Sequence, residues 1–169
     1  MNKADHFRIL AIAPTSRGVA FAVLEAKDSL VDWGVKTVQE DKNVNSLTKV
    51  EELIAQYHPG VLVLHDTKDS RRSQRVKALS QKIVAMAETR DVRVKLLSQE
   101  QIRRTYFFDG LGTKQEIAEI IAQRFPDELG TRLPQKRKAW MSEQYQMGIF
   151  DAVALALMLR LNTKKRREG

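Results

Sequence analysis

The sequence predicts a mixed α/β domain in which three antiparallel strands precede strands that alternate with helices. Two observations lead to this expectation. Three apolar runs separated by short turns occupy positions 8–38, which is typical of an antiparallel meander. From position 46, apolar residues recur at helical spacing and alternate with two further apolar runs, as in βα units. We therefore expect a mixed five-stranded sheet with helices on both faces.

The meander begins with Arg8 to Ala13, a nearly continuous apolar run that suits a strand buried on both faces. Pro14 to Gly18 supplies turn chemistry, and Gly18 can adopt a positive φ angle. Val19 to Glu25 and Leu30 to Val38 are the second and third strands, with a second short turn between them. The first turn therefore follows the carboxyl end of the first strand.

The next segment alternates helices with strands. Leu47 to Tyr57 repeats apolar residues at helical spacing, and a Pro-Gly pair ends that helix. Val61 to Leu64 is wholly apolar and predicts a central strand. His65 and Asp66 follow it directly, at the end of the strand where open α/β sheets place their sites.

The second half begins with a basic amphipathic helix over Arg71 to Arg90 and a strand over Val92 to Leu96. A short helix near Ser98 to Arg104 follows. Thr113 opens another helix, because Glu116 three residues later completes a capping box.

The chain closes with a loop and a long helix. Asp127 to Ala139 is polar and basic and contains a proline, so we predict a surface loop. The last helix is predicted from Ser142 to about Leu161. Residues 1–162 then form one domain, and we expect residues 163–169 to be a charged, mobile tail.

The charge balance points to an anionic partner. The net charge is +8 and the pI is near 9.8, which for a soluble domain favours nucleic acid. Clustered cations can neutralise phosphates, although a solvated surface is the simpler interpretation. The clusters are Lys68, Arg71, Arg72, Arg75 and Lys77; Arg132, Lys136, Arg137 and Lys138; and Lys164 to Arg167. With no cysteine, a polar start and no bilayer-length apolar run, we expect a soluble, cytoplasmic protein without disulfides.

Three residues are candidates for chemistry on the pattern alone. Asp151 is the one charged residue between Met147 and Leu159, so it is either the N-cap of a helix starting at the next residue or part of a site. Asp66 is either an ordinary strand-end aspartate or a site carboxylate. His65 is compatible with a structural histidine, a general acid or base, and a metal ligand.

Several stretches together resemble the RuvC-type Holliday-junction resolvases of the ribonuclease H-like superfamily. These stretches are ILAIAPTSRGVAFAVLE, LVDWGV, SQEQIRRTYFFDGLGTKQEI and IFDAVALAL, and their order and spacing cover roughly residues 8–161. The family's first strand carries an aspartate followed by a proline and a small-residue turn, and its last helix carries an aspartate before small apolar residues. The resemblance implies the ribonuclease H-like fold and a structure-selective endonuclease that acts on branched DNA as a homodimer.

The resemblance also implies a metal site. In that family four acidic or histidine positions hold two metal ions, which activate a water and stabilise the leaving oxygen of a phosphodiester. Asp151 matches the last-helix aspartate, and the strand-four carboxylate falls at His65 or Asp66, so Asp66 and Asp151 are the expected ligands of Mg²⁺ or Mn²⁺. The first-strand aspartate falls on Ala13, and another position falls on Gly148.

Ala13 cannot bind a cation, so we expect metal-dependent cleavage to be weak or absent. Two origins fit this residue: a natural relative that binds DNA without cutting it, and a substitution introduced to inactivate a nuclease. On the nuclease hypothesis, Ala13→Asp is expected to raise metal-dependent nicking. The alternative is a non-catalytic module that binds nucleic acid or a partner protein on the same scaffold.

Contacts to DNA are predicted partly by the same resemblance, which implies the loop before Lys114, and partly by residue type and charge clustering. Thr113 and Lys114 occupy a loop and helix start that face backbone phosphates, although capping alone explains Thr113. Tyr106 and Phe107 suit stacking on an opened base, but aromatic residues more often pack in a core or interface. The further cationic candidates are Arg71, Arg72, Arg75, Lys136 and Arg137.

Overall fold

A five-stranded sheet forms the centre of the molecule. The computed structural model describes residues 7–26, 29–68, 71–107, 109–110, 112–134 and 146–168, with the backbone alone for residues 162–168. The strands are β1 (Ile9–Thr15), β2 (Gly18–Glu25), β3 (Ser29–Thr37), β4 (Val61–His65) and β5 (Arg93–Leu97). Their order is β3-β2-β1-β4-β5. The first three strands pair antiparallel, whereas β4 is parallel to both β1 and β5, which confirms the predicted mixed sheet.

Helices cover both faces of this sheet, as predicted. They are α1 (Lys42–Tyr57), α2 (Gln74–Thr89), α3 (Gln99–Tyr106), α4 (Lys114–Arg124), α5 (Pro126–Leu129) and α6 (Met147–Glu168). One face packs against α1 and α2, and the other packs against α6 together with α3 and α4. Within the described ranges, no helix is both long and apolar enough to cross a membrane.

The strand period of two separates large from small side chains between the two faces. Towards α1 and α2 the first two strands present Leu10, Ile12, Val19, Phe21 and Val23, all buried. Towards α6 the same strands present Ala11, Ala13, Ala20 and Ala22, flanked by Ile9 and Leu24. Small side chains on one face allow the backbone of α6 to lie close to the sheet, near the carboxyl end of β1.

Two element starts differ from the sequence-based expectation. The basic helix begins at Gln74 and not at Arg71, because the Ser73 hydroxyl accepts a hydrogen bond from the Val76 backbone N–H at 3.3 Å and so caps it. Arg71 and Arg72 therefore precede α2. Helix α1 begins at Lys42, earlier than its apolar pattern, since its first turn is polar.

The last third of the chain also differs in its boundaries. The predicted surface loop includes α5, with Pro126 at its first position, where a missing N–H costs nothing. Helix α6 is described from Met147, and the predicted start at Ser142 lies outside the described residues. The helix continues past Leu161 to Glu168, so the backbone of residues 163–168 extends α6. Lysine and arginine are good helix formers, which explains this extension.

Candidate functional site

A small pocket with polar and apolar walls lies beyond the carboxyl end of β4. It is bounded by α3, α4 and α6, and its polar lining residues are His65, Gln99, Lys114 and Asp151. Ile102 and Phe150 are among the apolar residues that close its walls. This is the edge at which the sequence predicted a site.

Asp151 and Lys114 form an ion pair in the pocket. Asp151 lies inside α6, four residues after the helix begins, so its interpretation as an N-cap is wrong. Its carboxylate is 14% exposed and accepts a hydrogen bond from the Lys114 ammonium, with Nζ and Oδ2 separated by 3.4 Å. Lys114 is the first residue of α4, where the helix dipole disfavours a cation. The nearby carboxylate of Asp151 offsets that cost.

His65 is the strand-end residue that shares this pocket. It is the last residue of β4, and the strand alternation turns it towards α6. Burial, followed by the charges of Arg72 and Lys114, lowers the pKa of its imidazole to about 3. The imidazole is therefore uncharged near neutral pH, because burial and nearby cations both disfavour its protonated form.

Asp66, by contrast, has the contacts of a turn residue. Its side chain is exposed and accepts a hydrogen bond from the Lys68 backbone N–H at 3.0 Å, while its own N–H donates to the Leu97 carbonyl. Asp66 is not among the lining residues of the pocket. Of the two strand-end candidates, it is His65 that the structure brings into the pocket with Asp151.

Ala13 and Gly148 lie in close packing between the β1–β2 hairpin and α6. Ala13 is 1% exposed and pairs with Ala20 across β1 and β2. A Cβ atom on Gly148 would lie 2.7 Å from Cγ2 of Thr15 and 2.8 Å from the Ala20 methyl group. A histidine or an acidic residue at position 148 therefore has no room without a shift of α6 or of the β1–β2 hairpin.

The residues present do not fit a two-metal centre. Among the described residues, no group of three or more histidine or acidic side chains is placed to hold an ion. Asp151 is engaged by a lysine, His65 is a single neutral nitrogen donor, and Ala13 and Gly148 have no donor atoms. Mg²⁺ and Mn²⁺ favour several oxygen ligands, which this arrangement does not supply.

Three cations surround the β1–β2 turn on the other side of the same edge. Lys42 Nζ donates to the Ser16 carbonyl at 2.8 Å, Arg72 Nη1 to the Pro14 carbonyl at 3.2 Å, and Arg75 Nη2 to the Thr15 carbonyl at 3.2 Å. We call the turn and these three side chains the braced turn.

Neutral hydrogen-bond partners leave the charges of Lys42 and Arg75 available. Arg75 also bonds the Asn43 side-chain oxygen at 3.2 Å, and the Asn43 amide donates back to the Arg75 carbonyl. In the described part of the chain, the hydrogen bonds of Lys42 and Arg75 all end on neutral oxygens. Their positive charges are held in place without being neutralised by these contacts.

Three of the other predicted DNA contacts have structural roles in the described part of the chain. Thr113 caps α4 through a reciprocal capping box with Glu116, as the sequence predicted. Tyr106 donates its hydroxyl to the Ala154 carbonyl at 3.0 Å, and Phe107 packs against the α6 core. Arg71 is exposed. The remaining two candidates lie outside the described residues: Lys136 and Arg137.

Sequence reasoning missed two polar residues of this edge. Lys42 contacts a turn 26 positions away, and no local pattern signals such a contact. Gln99 enters the pocket because the Ser98 cap starts α3 at that point. The capping box of Ser98 and Gln101 was the available signal, but it locates the helix and not its neighbour.

Comparison with known proteins identifies the fold. The structure of Thermus thermophilus RuvC superposes with a TM-score of 0.70 at 15% identity, covering 94% of this chain and 96% of that one. This chain has a RuvC-like, ribonuclease H-like fold. RuvC of T. thermophilus in complex with a Holliday junction substrate gives a TM-score of 0.68 at 15% identity, covering 95% of this chain and 96% of that chain.

A second, more distant resolvase has the same fold. The fowlpox virus Holliday junction resolvase gives a TM-score of 0.52 at 10% identity, covering 95% of this chain and 99% of that one. No protein-family model matches the sequence, and no curated protein matches it either. The structural similarity to RuvC thus covers nearly the whole chain at low sequence identity, and it establishes the fold alone.

Proposed function

We propose that this chain binds branched DNA, of which the four-way junction is the leading candidate, and cleaves it weakly or not at all. The observation that carries the proposal is the braced turn, where the hydrogen bonds described for Lys42 and Arg75 end on neutral oxygens, at the carboxyl edge of a RuvC-like sheet. The net charge of +8 favours the same class of partner. A solved RuvC neighbour is described in complex with a Holliday junction substrate, which supports the choice of branched DNA.

Binding without efficient cleavage follows from the chemistry of the pocket. Two-metal hydrolysis requires ligands for ions that flank the attacking and leaving oxygens. Among the described lining residues the pocket has one carboxylate, that of Asp151, and Lys114 already pairs with it. We therefore favour the non-cleaving form of the resolvase-like function over an active nuclease.

Competition between a four-way junction and a linear duplex of equal length tests the binding proposal. We expect salt-sensitive binding with preference for the junction, because phosphate contacts release counterions and the RuvC-like fold suits branched DNA. Equal affinity for the two substrates would defeat the junction proposal. If single-stranded RNA, added as a third competitor, is preferred to both, the alternative of a different nucleic-acid-binding module is favoured over the junction proposal.

Arg75→Ala tests the part played by the braced turn. Removal of one phosphate contact should weaken junction binding at low salt and lower the slope of log affinity against log salt by about 1. Arg93→Ala is the matched control, since Arg93 is exposed at the start of β5, on the opposite edge of the sheet. The braced turn has no role in binding if both variants lose affinity equally.

Ala13→Asp tests the cleavage proposal. With Lys114 beside Asp151 and no donor at Gly148, we expect no nicking of branched DNA by this variant in Mg²⁺ or Mn²⁺. Nicking that Asp151→Asn then abolishes would show instead that Ala13 is the single defect of a disabled nuclease.

We also propose that the chain acts as a homodimer on DNA. Four-way junctions have two-fold symmetry, and a symmetric protein dimer would present the same edge to both halves. Light scattering of the protein with a junction should give two chains per junction. One chain per junction at saturation would rule out the dimer.

A further inference from the structure

The charge of the pocket is balanced by the protein itself. Asp151 lies in a helix that is apolar on either side of it, and only 14% of its side chain is exposed. A carboxylate in such surroundings requires a compensating positive charge. Lys114 supplies one at 3.4 Å, from the first turn of α4.

The remaining lining residues add no further charge. His65 is buried, Gln99 carries a neutral amide, and the other walls are formed by apolar side chains such as Ile102 and Phe150. The described lining of the pocket therefore has one negative and one positive side chain. A second cation would raise its charge above neutral, whereas a bare Asp151 would repel a phosphodiester.

We propose that Lys114 is a tethered counter-cation that takes the place of a divalent metal ion beside Asp151. It neutralises the carboxylate, so that a phosphodiester backbone can approach the pocket without any metal, and it occupies the position from which an ion would bind Asp151. The approach of DNA rests on the proposed function, whereas the exclusion of metal rests on the ion pair alone.

Exclusion of metal is measured with Mn²⁺ as the probe. Paramagnetic broadening of backbone amide NMR signals around Asp151 should be absent in the wild type and in Lys114→Arg, which keeps the cation. The same signals should broaden in Lys114→Ala, where the carboxylate is left without its lysine, and should recover in Lys114→Ala/Asp151→Asn. Broadening in the wild type, or none in Lys114→Ala, would overturn the proposal.

The approach of DNA is measured by junction affinity with EDTA and with Mg²⁺. At matched ionic strength, wild-type affinity should be the same in both, because phosphate contacts alone already respond to salt. Lys114→Ala should bind about tenfold more weakly in EDTA, since a charged contact is lost and a bare carboxylate remains, and Mg²⁺ should restore most of the loss. Lys114→Ala/Asp151→Asn should lose this dependence on Mg²⁺.

The Mn²⁺ measurement and the junction-affinity measurement distinguish failure of this inference from failure of the proposed function. Wild-type protein that binds no junction would defeat the proposed function, and the Mn²⁺ measurement would still decide whether Lys114 excludes a metal. Junction binding by the wild type that requires Mg²⁺ would contradict the tethered counter-cation while leaving the proposed function intact. A thermal melt of each variant checks that the fold is retained.

Discussion

The two faces of the sheet are built differently. The face towards α1 and α2 uses large side chains, among them Leu10, Ile12 and Phe21, whereas the face towards α6 uses four alanines on the same two strands. The large-residue face gains its stability from buried area, at about 1.5–3 kcal/mol for each fully buried side chain. The small-residue face gains close approach of α6 and, with it, the position of Asp151.

The difference between the two faces shows that Ala13 also has a packing role. Ala13 lacks the functional group that the resemblance to resolvases calls for, but it is also one of the alanines that allow α6 to pack against β1 and β2. A larger residue at this position must find space between the hairpin and the helix. The packing and the chemistry at position 13 are therefore coupled.

The largest expected loss of stability comes from a substitution on the large-residue face. Ile12→Ala should lower the free energy of unfolding by about 3–4 kcal/mol, because Ile12 is fully buried and truncation leaves a cavity. The neighbouring substitution Ala13→Gly, on the other face, should cost only about 1 kcal/mol, mainly through backbone entropy. Urea unfolding of both variants measures the contrast, and equal losses would show that the two faces do not differ as described.

Lowering the pH should decrease the free energy of unfolding through His65, which lies on the face of the sheet towards α6. In the unfolded chain the imidazole takes up a proton near pH 6.5, whereas in the folded chain it stays neutral down to about pH 3. The unfolded state is therefore favoured as the pH falls through this window, by about 3 kcal/mol between pH 7 and pH 4 for this one group.

The variant His65→Gln isolates this contribution. Its unfolding free energy should depend less on pH between 7 and 4 than that of the wild type, as followed by urea unfolding at several pH values. His58→Asn is the control, since His58 is exposed at the end of α1 in a left-handed conformation that asparagine tolerates. An unchanged pH slope in His65→Gln would mean that His65 is protonated in the folded protein.

A smaller loss of stability is expected at Gly148 in α6, on the small-residue face. Gly148→Ala should cost about 1–3 kcal/mol, because its methyl group would meet Thr15 and Ala20 inside normal contact distance. Gly34→Ala is the control, since a methyl group there would lie 3.4 Å from the Phe21 ring, close to ordinary contact. Thermal denaturation should separate the two variants, and a neutral Gly148→Ala would show that α6 can move away from the hairpin.

The smallest expected effect compares the caps of helices on opposite faces. Thr113→Ala should cost about 1 kcal/mol, since it removes a reciprocal capping box. Ser73→Ala should cost less, because Ser73 caps α2 through a single bond at 3.3 Å. Equal melting temperatures for the two variants would contradict this order.

The sequence predicted the fold because its signals were local. The alternation of apolar residues in β1 and β2, the apolar run of β4 and the Thr113–Glu116 capping box each depend on a few adjacent residues. The site required contacts between distant residues. Neither the pairing of Lys114 with Asp151 nor the contact of Lys42 with Ser16 has a local pattern. The choice between His65 and Asp66 depended on strand orientation, which a short apolar run does not specify.

The braced turn has an entropic consequence for the binding of an anion. The rotamer entropy of a lysine or arginine side chain is worth about 2 kcal/mol of free energy, and part of it is normally lost when the side chain binds a phosphate. At Lys42 and Arg75 the carbonyls of Ser16 and Thr15 already restrict that freedom in the folded chain. An incoming anion therefore meets side chains that are ordered in advance, and its affinity is reduced less by ordering than at a mobile basic surface.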